Sequence, residues 1–146
     1  MKHSIYFSVK TFILGIIALT FTQVSADAQK VHFKTSTVVP AAQGTVKVSK
    51  NKDKGYNIDI DILHLAGPQR LQPAAKTYIV WMDTERNSIK NLGEIHSEDG
   101  FLSKTLKASL KTTSPFKPTR IFITAEDVAA ISNPHGQQVL TTRTFN

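Results

Sequence analysis

Nine consecutive residues, Tyr56-Asn57-Ile58-Asp59-Ile60-Asp61-Ile62-Leu63-His64, carry an apolar and polar alternation with a period of two. In an extended chain successive side chains point to opposite faces. Tyr56, Ile58, Ile60, Ile62 and His64 then share one face, and Asn57, Asp59 and Asp61 the other. A helix would scatter the same residues around its circumference. The stretch is therefore a strand with one buried and one solvated face, and it commits the chain to a sheet whose apolar side must be covered.

The surrounding sequence repeats this period. Residues 44–49 alternate as well, and Asn51-Lys52-Asp53-Lys54-Gly55 supplies a lysine-rich turn with Gly55 available for a positive φ, so the two segments are predicted to form a hairpin. Residues 66–75 contain Pro68 and Pro73, which cannot donate to a ladder, and predict a crossing between two sheets. Residues 77–82 are β-branched, aromatic and apolar on both faces, the pattern of a central strand, with Trp81 expected to fill the space between sheets. After a polar turn at 83–87, strands are expected at 89–96 and 101–108, joined by a hairpin turn Ser97-Glu98-Asp99-Gly100 in a meander. Residues 109–118, with Pro115 and Pro118, predict a second long crossing. Strands at 119–125 and 137–142 complete the set, with an additional one near 31–39 and a single helical turn at 126–131. Seven or eight short strands with two proline-bearing crossings predict an all-β, two-sheet immunoglobulin-like β-sandwich rather than a closed barrel.

The N-terminal sequence is different in kind. Lys2 and Lys10, with no acid, precede the apolar run Phe12-Ile13-Leu14-Gly15-Ile16-Ile17-Ala18-Leu19, which continues through Thr20 to Phe21 before small residues follow. This is the order of a secretory signal peptide, and the run is about half of the ~20 residues a helix needs to cross a bilayer. Residues 1–28 are read as that peptide, with cleavage after Ala28 favoured and cleavage after Ala26 also fitting the small-x-small rule. Residues 29–146 are then one exported domain, periplasmic or extracellular, with no permanent membrane span after cleavage. An uncleaved N-terminal anchor is the alternative.

Composition limits the chemistry. With no cysteine there are no disulfides, thiol nucleophiles, thiolate metal sites or lipid-modified N-terminal cysteine. Without residues 1–28, 16 basic side chains face 10 acidic ones, a net charge of +6. Such a surface is read as serving solubility and protecting sheet edges. Nucleic-acid binding would need the charges gathered with exposed aromatic residues, and export argues against it. The densest group is Lys47, Lys50, Lys52 and Lys54, for which an anionic surface is the alternative partner.

Several motifs together resemble a known family. Tyr78-Ile79-Val80-Trp81, Asn91-Leu92-Gly93, Gly100, Phe122-Ile123-Thr124-Ala125-Glu126, Asn133-Pro134-His135-Gly136 and Val139-Leu140 resemble the extracytoplasmic C-terminal domain of bacterial membrane-bound anti-sigma factors, of the anti-sigma-K type. The resemblance spans residues 76–142. It implies a sensory outer domain without catalytic residues. The family's sigma-binding segment, often zinc-associated, lies ahead of its transmembrane helix, whereas only eleven residues precede the apolar run here. The expectation is the exported half alone, without inhibition of a sigma factor.

Candidate chemistry is sparse. His32, His64, His96 and His135 are widely separated, and none has a metal-ligand partner at helical spacing. The carboxylates of residues 96–100 suit a turn better than a calcium loop. Asp59 and Asp61 share a strand face, as acid–base pairs do, but alternate with isoleucines in the manner of a solvated face. There is no Gly-x-Ser-x-Gly elbow and no phosphate loop. No catalytic, cofactor-binding or metal-ligating residue is assigned, and no cofactor is expected. The function expected is a non-enzymatic module of the cell envelope that binds an unknown protein or envelope component through loops at one end, its oligomeric state open. The alternative is a small secreted hydrolase or carbohydrate-binding module, with Trp81 as the sugar platform. Glu126-Asp127 beside Pro134-His135-Gly136 is the one place that can bring acid and imidazole together. A pocket joining His64 or His135 to Glu126 would favour the alternative.

Overall fold

In the computed structural model, residues 28–100 and 103–146 are described. The leader reading, the two cleavage registers and the first residues of the strand expected at 101–108 lie outside the described residues. Among those described, no helix is long and apolar enough to cross a membrane.

Nine strands form two antiparallel sheets: β1 (Gln29–His32), β2 (Gln43–Lys50), β3 (Tyr56–Leu63), β4 (Thr77–Thr84), β5 (Ile89–Ile95), β6 (Ser97–Gly100), β7 (Ser103–Ser114), β8 (Pro118–Glu126) and β9 (Gln137–Thr141). One sheet has the order β1-β2-β3-β7-β6 and the other β5-β4-β8-β9. Apart from β1, these are the A-B-E-D and C′-C-F-G arrangements of an immunoglobulin-like sandwich. The predicted fold class is the one observed.

The alternation in β3 does what its period requires. Ile58, Ile60 and Ile62 are buried and Asp61 is exposed. They meet Tyr78, Val80 and Met82 of β4 and Ile121 and Ile123 of β8 in one shared core. His64 does not continue the buried face. It sits at φ 58, where the chain turns out of the strand, and is exposed, while Leu65 is buried in its place. The β2–β3 hairpin forms in full register, from Gln43↔Leu63 to Lys50↔Tyr56. The left-handed residue of its turn is Lys54, at φ 62, rather than Gly55. Asn51 Oδ1 shapes that turn by accepting the Asp53 and Gly55 N–H groups. Gly55 is needed for space, because a Cβ there would lie 2.8 Å from the Ser114 carbonyl oxygen.

Three expectations are corrected. Residues 97–100 are not a hairpin turn but the strand β6, paired to β7. The chain leaves the β4–β5 sheet at His96 and enters the other one, so no meander joins β5 to β7. The supposed long crossing at 109–118 is mostly strand, since β7 runs to Ser114 and only residues 115–117 pass between sheets before β8 starts at Pro118. Pro118 is tolerated there as the first residue of its strand. The helical turn expected at 126–131 is absent: Glu126 ends β8 and residues 127–136 form a loop. The crossing at 66–75 does join the two sheets, and contains a short 3-10 turn, Pro68–Arg70.

Candidate functional site

β4 is central and buried along both faces, but the face bearing Trp81 is not the one that meets the other sheet. Alternation sends Tyr78, Val80 and Met82 into the shared core and Ile79 and Trp81 outward, into a second, smaller cluster with Phe122 of β8. Trp81 does not fill the inter-sheet core. It is buried because the β8–β9 loop folds over it, Ala129 and Ile131 packing on the cluster. The Trp81 and Phe122 rings stack with centroids 6.4 Å apart and planes at 19°. The Arg120 guanidinium lies 4.6 Å from the Phe122 centroid and donates to Asp83 at 2.6 Å.

Polar groups hold the loop in place. Trp81 Nε1 donates to Thr124 Oγ1 at 2.7 Å, and Thr124 Oγ1 donates to Glu126 Oε1 at 2.6 Å. Glu126 Oε1 also accepts the His135 backbone N–H at 3.1 Å, and Oε2 accepts that of Gly136 at 2.8 Å. Side chains on alternate residues of β8 thus reach across the sheet to the indole and along it to the far end of the loop. Gly136 makes the approach feasible, since a Cβ there would lie 1.7 Å from the Ala125 carbonyl oxygen. On the opposite flank Asn91 of β5 donates to the Ala129 and Ile131 carbonyls. The fold holds this loop at its middle and at its far end.

Between the loop and the β3–β4 crossing lies a groove of about 300 Å³. Pro73, Ala74 and Ala75 line one side, and Val128, Ile131 and His135 belong to the loop side. Val128 is 57% exposed, the largest exposure among the large hydrophobic side chains of the described residues. In the immunoglobulin labelling these are the B–C and F–G connections, which variable domains place at one end for recognition.

The groove joins His135 to Glu126, the arrangement expected to favour the hydrolase alternative, but the two do not form a catalytic pair. Their contact runs through the His135 backbone N–H, and the carboxylate is buried and occupied by three donors. His32 and His64 are exposed in other parts of the fold, and His96 lies 3.8 Å from Glu94 with both side chains largely in solvent. Among the described residues no three His, Cys, Asp or Glu side chains gather as a metal site would require. Asp59 and Asp61 stand on the outer face of β3, and the side chain of Asp99 is not described. Sequence reasoning missed Thr124, Asn91 and the anchoring role of Glu126. The Thr-x-Glu spacing in a strand was the available signal, since it places both side chains on one face.

No protein-family model, no curated protein and no solved structure matches the chain.

Proposed function

We propose that the chain is an exported, non-enzymatic recognition module of the bacterial envelope, which binds a protein or envelope component in the groove between residues 73–75 and 127–136. Its role is similar to that of an anti-sigma factor outer domain. The observation that carries this reading is Val128, an aliphatic side chain held in solvent at the rim of a groove whose loop is fixed by Glu126 and Asn91. A preformed apolar rim binds with little ordering cost. Two further points support it. The motifs behind the family resemblance, at 78–81, 122–126 and 133–136, are those that build the Trp81 cluster and anchor the loop. The Glu126 carboxylate is engaged by three donors, which disfavours it as a free general base, and Trp81 is too buried to serve as a sugar platform.

A photo-crosslinking amino acid placed at Val128, and separately at exposed Thr113 on the opposite sheet, tests this in the native envelope. The reading predicts a discrete adduct from position 128 and none from 113. The same adducts from both positions, or none from 128, would count against it.

A further inference from the structure

The end of the sandwich opposite the groove has its own chemistry. Three connections meet there: the β2–β3 turn at 51–55, the β4–β5 turn at 85–88 and the β7–β8 link at 115–117. Register places them together, since Tyr56 pairs with Ser114, Thr84 with Pro118, and the Glu85 N–H donates to the Lys117 carbonyl. Among the described residues these connections and their strand ends bring Lys50, Lys52, Lys54, Arg86, Lys90, Lys117 and Arg120 against Asp53, Asp83 and Glu85, with Arg120 paired to Asp83. The connections at the groove end, by contrast, carry Lys34, Arg70 and Lys76 against Asp127.

Aromatic and apolar groups sit among these cations. Arg86 and Lys90 lie 5.7 and 5.3 Å from the centroid of the half-buried Phe116 ring, and Ile89 beside them is 40% exposed. A groove of about 470 Å³ opens at the same end, lined by Lys50, Tyr56, Lys117 and Phe145 among others and by no Asp or Glu side chain. Lysines on long stems around aromatic rings match the headgroup zone of a bilayer, which is anionic outside and apolar beneath. Exposed Ile89 beside Arg86 and Lys90 selects a bilayer over a soluble polyanion, which has no apolar layer beneath its charges. β1 begins at Gln29, opposite Val48, and Gln29 itself lines this groove.

We propose that this basic end docks on anionic phospholipid headgroups, leaving the groove at the opposite end facing away from the bilayer. The test uses the protein recovered from cells expressing the full chain. It is sedimented with vesicles of phosphatidylcholine alone or of phosphatidylcholine and phosphatidylglycerol in equal parts. Pelleting is expected only with the anionic vesicles, and it should be lost when salt rises from about 0.1 M to about 1 M. Lys50→Ser, Lys52→Ser and Lys54→Asn together, with asparagine chosen because it tolerates the left-handed backbone at 54, should weaken partition on the order of 100-fold. Arg70→Ser with Lys76→Ser, at the other end, should leave it unchanged. Equal pelleting with neutral vesicles, insensitivity to salt, equal losses from both variant sets, or a preference for soluble heparin over the vesicles would overturn the proposal. The lipid and salt comparisons need only the unmodified protein, so they decide the matter even if the triple variant folds poorly.

Discussion

The indole N–H of Trp81 donates to Thr124 Oγ1 at 2.7 Å on the face of its sheet turned away from the other sheet. Thr124 is thereby the middle of a relay, because its own hydroxyl proton goes to Glu126. Thr124→Val keeps the shape and removes both bonds, leaving a buried indole N–H without an acceptor. The expected cost is about 2 kcal/mol. Trp81 is the chain's single tryptophan, so its fluorescence reports the site directly. Denaturation followed by that signal should show the lowered midpoint, and an unchanged midpoint and spectrum would mean the relay contributes nothing.

Glu126→Gln tests the anchor of the loop. The backbone N–H groups of His135 and Gly136 now point at two carboxylate oxygens, and an amide offers them one oxygen and one donor. The loss should be about 2 kcal/mol, with faster amide hydrogen exchange confined to residues 127–136. Exchange that speeds up across both sheets instead would place Glu126 in global stability rather than in loop anchoring.

Tyr78 gives the fold an alkaline limit. Its hydroxyl donates to the Ala66 carbonyl at 2.7 Å, and burial pushes it up from 10.0 to about 12. Because the unfolded chain ionises first, the stability this group contributes is whole below pH 10 and is lost as pH rises toward 12. The loss is roughly 2–3 kcal/mol. Tyr78→Phe should remove that part of the alkaline decline while costing about 1 kcal/mol at neutral pH, where Ala66 loses its donor. Urea melts across this range check it, and an identical alkaline slope in the variant would exclude Tyr78 as the source.

The proposed export predicts a processed N-terminus. Mass spectrometry of the protein recovered from cells should find chains beginning at Gln29 or Asp27, outside the cytoplasm. Intact Met1 in membrane pellets would contradict cleavage and fit the uncleaved anchor.

What could be read in advance follows from where the determinants lie along the chain. β3 was legible because a half-buried strand writes its two faces as alternation, and the β2–β3 hairpin because its turn residues are contiguous. Trp81 was misplaced for the complementary reason. A strand apolar on both faces, such as Tyr78 to Met82, carries no sign of which face meets the other sheet, and only the covering loop fifty residues later decides it. The Asp99-Gly100 pair marked a turn, but β6 is defined by pairing with β7, which no local pattern encodes. Pro115 and Pro118 predict a long crossing, but β7 runs up to the first and β8 starts at the second. At the site, the sequence marks Glu126 and His135 only as a place where acid and imidazole can meet. Their relation, a carboxylate on a backbone N–H rather than on an imidazole, depends on the fold of residues 127–136 and is not written in residue types.

The most direct test of the recognition groove is the affinity of the partner captured at position 128, measured against substitutions on both walls. Val128→Asp and Ala74→Asp add a charge to an apolar rim at exposed positions, so they should leave the melting temperature near that of the parent and weaken binding at least about 10-fold each. Lys111→Ser, on the far sheet, should bind as the parent does. Affinity unchanged by both groove substitutions, or reduced equally by Lys111→Ser, would contradict recognition through this end of the sandwich.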